Sequence, residues 1–229
     1  MTEQRKMPPN DALPARIRDM SDIERGLDAL CEADPRLVRI RRRVEASGGV
    51  PLRLDRPGFA PLVEVVVTQQ ISRTSAAAIH GRLREHVDPL MPRGLLAMSD
   101  RAARIVGLSR PKVRTLRALA AAVEDGTLDP VACCDLTASE ATAAITSVHG
   151  LGPWTASVYL LFCGGHPDIF PTRDIALQWS AADMAGMDGP VDARELDRVA
   201  LERWSPWRSV AARLLWANYA VIRGREVLP

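Results

Sequence analysis

Apolar side chains recur every three or four positions along most of this chain, which is the period of an amphipathic α-helix. Val113, Leu116 and Leu119, for example, share one helical face. Residues 61–68, PLVEVVVT, are β-branched enough to favour a strand by propensity, but their length and their helical surroundings indicate a buried helix. No strand is predicted elsewhere, so the predicted fold class is all-α.

Residues with the chemistry of helix N-caps divide this pattern into separate helices. Ser21-Asp22, Ser99 and Asp192 each precede a periodic segment, and Ser205-Pro206 is expected to cap and start the last helix. The predicted helices are 22–31, one that Pro35 opens, 61–68, 73–85, 99–106, 111–125, a single turn at 129–134, 138–148, 153–163, 175–184, 192–204 and one that Pro206 starts.

A helix-hairpin-helix unit is predicted at residues 138–163. Thr137 and Glu140 have the spacing of a capping box, which starts the first helix. The segment 149–152, His-Gly-Leu-Gly, is too short and too rich in glycine to be anything but a tight turn. Pro153 then stands where a first helical residue tolerates the missing N–H.

Two uses of this hairpin stay open from these residues alone. Gly150 and Gly152 let a ligand come close to the backbone, and the helix that follows presents unsatisfied N–H groups at a positive dipole end. Those features suit an anion, here a phosphate of a nucleic-acid backbone. The alternative is a helical corner that needs glycine only to turn.

The sequence after the second helix favours the first use. A loop punctuated by proline, residues 166–173, leads to Asp174 and then to the apolar Ile175, Ala176 and Leu177. The hairpin with an aspartate about twenty residues later resembles the helix-hairpin-helix DNA glycosylase superfamily. Gly-Pro-Trp-Thr-Ala from residue 152, followed by Asp-Ile-Phe-Pro and Asp-Ile-Ala-Leu, is similar to the AlkA-type 3-methyladenine DNA glycosylases. The resemblance covers roughly residues 22–225.

This resemblance implies two helical subdomains that flank a cleft. One would comprise residues 61–168, which include the helix-hairpin-helix, and the other residues 21–60 together with 169–229. Residues 1–20, which contain no apolar run, are expected to be a loose N-terminus.

The resemblance also assigns roles to single residues. Asp174 would be the catalytic carboxylate, although its place before Ile175 also fits a helix cap, and both can hold. Gln69 and Gln70, at a junction where Thr68 replaces the usual glycine, would enter the duplex beside a flipped base. The full set of expected DNA-binding residues is Gly150, Gly152, Gln69, Gln70, Ser72, Thr155 and Lys112.

Trp154 decides the expected subclass. Superfamily members that also cut the DNA strand have a lysine at this position, and an indole cannot form their Schiff base. Aromatic walls suit a cationic alkylated purine, which stacks on them through cation–π attraction. The predicted substrate pocket is formed by Trp154, Tyr159, Trp179 and Trp207, with Trp204 and Trp216 as further possibilities.

Composition changes this picture little. The chain has 47% hydrophobic and 25% charged residues, as an ordinary globular protein does, and its net charge of +2 does not by itself indicate a nucleic-acid binder. Its 30 basic residues include only two lysines, Lys6 and Lys112. With no leader or long apolar run, a cytoplasmic protein is expected.

The four cysteines lack metal-ligand spacing, so neither zinc nor an iron–sulfur cluster is expected and no cofactor is required. The resemblance allows a monovalent cation, sodium or potassium, on the main-chain carbonyls of Thr146, Val148 and Leu151.

The sequence therefore predicts a monofunctional DNA glycosylase of base excision repair. Its partner would be double-stranded DNA that contains alkylated bases of the 3-methyladenine and 7-methylguanine type, and it would act as a monomer without membrane association. The alternatives are a glycosylase for hypoxanthine, ethenoadenine or 1-methyladenine, a non-catalytic helix-hairpin-helix DNA-binding protein, and a helical scaffold without a DNA role.

Overall fold

The computed structural model describes residues 16–224, and the regular secondary structure in this part of the chain is all helical, as predicted. A π-helical turn, Ala200–Trp204, continues the twelfth helix. The helices are α1 (Met20–Ala33), α2 (Arg36–Glu45), α3 (Phe59–Thr68), α4 (Arg73–His86), α5 (Pro92–Ala97), α6 (Asp100–Val106), α7 (Arg110–Glu124), α8 (Pro130–Cys133), α9 (Ala138–Thr146), α10 (Pro153–Phe162), α11 (Ile175–Ala185), α12 (Ala193–Val199) and α13 (Arg208–Arg223).

Three local predictions were wrong. The short helix α5 was missed, since it is too brief for a periodic signal. The cap of α1 is Asp19, whose carboxylate accepts the N–H groups of Ser21 and Asp22. The last helix starts at Arg208 because the hydroxyl of Ser205 donates to Asp168 at 2.9 Å instead of capping the helix.

The buried apolar side chains form two clusters. The first contains residues of α1, α2, α11, α12 and α13. The second contains residues of helices α3 through α9. Helix α10 is apolar on all sides and contributes to both: Val158 and Leu161 pack in the first cluster, whereas Tyr159 and Leu160 pack in the second. Thus α10 is the wall that the two clusters share.

Most of the predicted loose N-terminus, residues 1–15, lies outside the described residues. The part that follows is packed against the protein, because Ile17 is buried and its N–H donates to the carbonyl of Gly165 at 2.7 Å.

A buried arginine fixes the segment that crosses α10. The guanidinium of Arg213 on α13 donates to the carbonyls of Leu52, Arg53 and Leu161, and it lies 4.8 Å from the ring centre of Phe162. Burial lowers the pKa of Arg213 to about 9, so the group is still charged at neutral pH. We call residues 50–55 the strap, because these contacts bind it across α10.

Within residues 16–224 no helix is long and apolar enough to cross a membrane. In the same range no three His, Cys, Asp or Glu side chains converge as a metal site would require, and the four cysteines are free thiols. Burial raises the pKa of the Cys163 thiol, which makes it unreactive at neutral pH.

Candidate active site and DNA interface

The Asp174 carboxylate is held by three N–H donors. One oxygen, Oδ1, caps α11 by accepting the backbone N–H groups of Ala176 at 2.9 Å and Leu177 at 3.3 Å. The other, Oδ2, accepts from the indole Nε1 of Trp154 at 2.8 Å. Asp174 therefore has the predicted capping role. Its carboxylate is only partly buried, with its direction fixed by hydrogen bonds.

Trp154 connects this carboxylate to the hairpin. It lies in the first turn of α10, directly after the hairpin, and its half-buried ring packs against the first cluster. Because the indole N–H is bound to Asp174, the ring cannot rotate freely. Two segments twenty residues apart are thereby held in one site.

The hairpin glycines have different surroundings. Gly150 has a φ of +85°, and an added Cβ would lie 2.0 Å from the hydroxyl oxygen of Thr115, so only glycine fits there. Gly152 has an extended conformation, and nothing lies within 4 Å of the position of a Cβ. It is the N-cap of α10 and offers no side-chain cap, so the first N–H groups of that helix are available to a ligand.

The two glutamines of the α3–α4 junction are not equivalent. Gln69 is half-buried, and its side-chain amide donates to the hydroxyl of Thr155. Gln70 is exposed and has a φ of +59°, a left-handed conformation that is uncommon outside glycine. Ile71 beside it is 36% exposed. We call residues 69–71 the wedge loop; Gln70 is at its tip.

Ser72 ends the wedge loop as the N-cap of α4. Its hydroxyl oxygen accepts the backbone N–H of Ser75 at 3.1 Å, and the residue is exposed.

Lys112 holds the main chain at the start of the wedge loop in place. Its ammonium donates to the carbonyls of Val67 at 2.7 Å and Gln69 at 2.9 Å, and burial lowers its pKa. These bonds satisfy the free carbonyls at the C-terminal end of α3 and occupy two of the three ammonium protons. A phosphate contact by Lys112 stays a prediction, whereas its structural role is visible.

The side chain of Thr155, a predicted DNA-binding residue, is buried. It is 1% exposed, and its hydroxyl is bound to Gln69. The cause is its place on the side of α10 that faces the second cluster. Only its backbone N–H, in the first turn of the helix, remains for a ligand.

Two of the four predicted pocket walls, Tyr159 and Trp207, are buried in the core. Tyr159 is fully buried; its hydroxyl donates to the carbonyl of Pro130 at 2.8 Å and accepts the N–H of Gly58 at 2.9 Å, and burial raises its pKa. Trp207 packs inside the first cluster.

The remaining tryptophans differ in burial. Trp204 and Trp216 are buried in the first cluster, and Trp204 donates to Asp34 at 3.1 Å. Trp179 is half-buried, with the guanidinium of Arg223 at 5.2 Å from its ring centre. Trp154 is the predicted wall whose side chain forms a hydrogen bond with Asp174.

A cleft of about 550 Å³ opens between the two clusters. Val158 and Phe162 line it from α10, one and two turns after Trp154 on the same helical face. The strap and helices α2, α3, α4 and α13 supply the other walls. The sequence analysis missed Val158 and Phe162. Their spacing of four and eight from Trp154 places them on the same face of α10, but no sequence signal shows that this face lines the cleft.

One corner of the cleft is polar. The carboxylate of Glu64 on α3 binds Arg84 at 2.6 Å and lies 3.8 Å from Nδ1 of His80. Burial lowers the pKa of His80, so its imidazole is neutral at pH 7. The strap adds a second charged pair to the lining, Arg53 and Asp55, 3.6 Å apart, and most of the remaining lining residues are aliphatic.

Known proteins with related sequences are DNA repair enzymes. A probable bifunctional transcriptional activator and DNA repair enzyme AlkA of Mycobacterium tuberculosis is 32% identical over 217 residues, which are 89% of this chain and 42% of that protein. DNA-3-methyladenine glycosylase 2 of Escherichia coli is 25% identical and matches 89% of this chain and 72% of its own length. This chain spans less than two thirds of the first curated relatives it matches. No protein-family model matches it.

Solved structures show the same fold. A DNA-3-methyladenine glycosidase from Bacillus halodurans aligns with a TM-score of 0.73 and 29% identity, covering 87% of this chain and 91% of that one. The 3-methyladenine DNA glycosylase Mag1 of Schizosaccharomyces pombe, in complex with abasic DNA, aligns with a TM-score of 0.76 and 21% identity over 84% and 95% of the two chains.

With its two helical clusters, its glycine hairpin and the aspartate held beside that hairpin, the chain belongs to the helix-hairpin-helix DNA glycosylase superfamily. Within the superfamily it belongs to the AlkA type, whose members are named 3-methyladenine DNA glycosylases.

Proposed function

We propose that this protein is a monofunctional DNA glycosylase of base excision repair. It would bind double-stranded DNA as a monomer, take up a flipped alkylated purine of the 3-methyladenine or 7-methylguanine type, and hydrolyse its N-glycosidic bond. The observation that supports this most is the Asp174 carboxylate, fixed by Trp154 beside the hairpin. The shared family supports the same chemistry.

The carboxylate suits the charge that develops during cleavage. As the base leaves, positive charge builds on the deoxyribose, as in glycoside hydrolysis generally. Asp174 stabilises that charge and orients the attacking water. Because the N–H groups of Trp154 and α11 already hold the carboxylate, it need not reorganise in the transition state.

The cleft suits a leaving base that needs little protonation. An N3- or N7-alkylated purine is cationic while attached and neutral once released, so it requires no general acid. Walls formed by Val158, Phe162 and Val65 shield such a planar base from water. Neutral lesions such as hypoxanthine would need an acid to protonate them.

Release of free bases from a panel of duplexes, each with one lesion, tests this function. We expect 3-methyladenine and 7-methylguanine to be released by the wild type and not by Asp174→Asn. Release of only hypoxanthine, ethenoadenine or 1-methyladenine would reassign the substrate. If no base is released although DNA is bound, the protein is the non-catalytic binding module.

The product should be an intact strand with an abasic site. Trp154 stands where strand-cutting relatives have lysine, and the one lysine within residues 16–224, Lys112, is bound to carbonyls at the end of α3. We expect no covalent enzyme–DNA adduct when borohydride is added during turnover. A trapped adduct on denaturing gels would contradict this prediction.

Gly152→Ala should weaken binding to damaged and undamaged duplex alike, by about tenfold, the effect of removing one charge-assisted hydrogen bond. The added methyl meets no protein atom, so it blocks only a ligand. Gly189→Ala, also in open space, is the matched control for folding. Titration of labelled damaged and undamaged duplexes measures the affinity of each variant. A weakening confined to damaged DNA would show that the hairpin contacts the lesion instead of the backbone.

Gln70→Ala should slow base release from a paired lesion by about tenfold and change release from the same lesion in a single strand much less. A side chain that fills the gap left by the flipped base offsets part of an unstacking cost of a few kcal/mol. Gln69→Ala is the comparison, because this side chain is bound to Thr155. An equal decrease for Gln70→Ala in both DNA contexts would make the wedge assignment wrong.

The hairpin carbonyls are suitable for a monovalent cation. Thr146 ends α9, so its carbonyl has no partner within the helix, and the carbonyl of Val148 accepts one bond, from the N–H of Leu151 at 3.1 Å. Together with the carbonyl of Leu151 they provide hard oxygen donors, which sodium and potassium prefer. A bound cation would add positive charge beside the phosphate.

A further inference from the structure

Four arginines converge on a second, smaller cleft, of about 220 Å³, between α6 and α7. Arg104 comes from α6, and Arg110, Arg114 and Arg117 follow one another along one face of α7. The cleft contains a single carboxylate, that of Asp100, which binds Arg117 at 2.8 Å.

Three of these arginines, Arg104, Arg110 and Arg114, are exposed and have no hydrogen-bond or ion-pair partner within residues 16–224. Helix α2, which is equally rich in arginine, differs: its Arg41 binds the carboxylates of Glu24, Asp28 and Glu45. Arginine on α2 is thus partly neutralised within the protein. On α6 and α7, by contrast, the unpaired guanidinium groups line a single cleft.

The other side of α7 supports the DNA-binding loops. Lys112 binds the Gln69 carbonyl, and Thr115 lies against Gly150 of the hairpin. The arginine face therefore lies about one helix diameter, roughly 10 Å, from the wedge loop and the hairpin. A duplex carries one negative charge per about 1.7 Å of its axis, so phosphates continue past the lesion in either direction.

From these observations we infer that Arg104, Arg110 and Arg114 form a second phosphate site, which binds the backbone of the duplex that flanks the lesion. Guanidinium groups suit this ligand because they bind phosphate oxygens in a planar, bidentate way. The site would increase affinity for long duplexes and contribute nothing to cleavage of the bond. This inference rests on the proposed function.

The test measures binding of a 30-base-pair duplex, with one central tetrahydrofuran abasic-site analogue, at several salt concentrations. For the triple variant R104A/R110A/R114A we expect the slope of log affinity against log salt to fall by roughly 0.9 for each phosphate that the protein no longer neutralises. Single-turnover base release at saturating protein should be unchanged, because the site does not act on the bond.

Two controls make the result specific. The triple variant R42A/R194A/R203A removes three other exposed arginines without ion-pair partners, and so the same net charge, from elsewhere on the surface. The variant R104K/R110K/R114K should restore most of the slope. An equal decrease in both alanine variants, or an unchanged slope in the first, would overturn the inference. A wild type that does not bind the duplex would instead refute the proposed function.

Discussion

Replacement of Asp174 by asparagine should lower the rate of base release by a factor of at least about 10²–10³, the usual effect of removing one group that stabilises transition-state charge. Binding to a duplex with an abasic-site analogue should remain, because the hairpin and the wedge loop are unchanged. Single-turnover release of 3-methyladenine measures the rate. Unchanged turnover in a folded variant would end the catalytic assignment.

A double variant, Asp174→Asn with Trp154→Phe, distinguishes loss of catalysis from loss of stability. Asparagine has one acceptor oxygen, so it can cap α11 or accept from Trp154, and one of these donors is left unpaired. The unpaired donor should destabilise the protein by about 1–3 kcal/mol. Adding Trp154→Phe removes the indole N–H and should restore part of that stability in urea unfolding. Base release should not return with it.

Arg213→Met should lower the free energy of unfolding by about 3 kcal/mol or more. The arginine is 1% exposed, and its removal leaves the carbonyls of Leu52, Arg53 and Leu161 without their charged donor. Urea unfolding followed by tryptophan fluorescence measures the change.

The control for this variant is Arg198→Met, which removes an exposed arginine bound to Glu195 and Glu202. Surface ion pairs contribute little, so its urea midpoint should stay close to that of the wild type. Equal midpoints for the two variants would show that the strap is held mainly by apolar packing.

The sequence predicted the hairpin well because its signals are local. The capping box of Thr137 and Glu140 forms as expected, with the Glu140 side chain accepting the Thr137 N–H at 3.1 Å. Likewise Ser99 and Asp192 cap the helices predicted to follow them. Each of these features depends on residues three or four apart, whose geometry the helix itself sets.

The pocket could not be predicted in this way. Helix α10 is apolar on every side, so its sequence does not say whether Tyr159 or Val158 faces the cleft. The bond from Lys112 to the Gln69 carbonyl joins residues 43 positions apart, and no local pattern indicates it. These are tertiary contacts, which the packing of α3, α7 and α10 determines.

Trp154 and Thr155 are neighbours in the first turn of α10, and each holds a different part of the site: Trp154 binds the Asp174 carboxylate, and Thr155 binds Gln69 of the wedge loop. One turn of α10 therefore fixes the position of the wedge loop relative to the Asp174 carboxylate. Under the proposed function, a mutation that shifts this turn should change both the extrusion of the base and the cleavage of its bond.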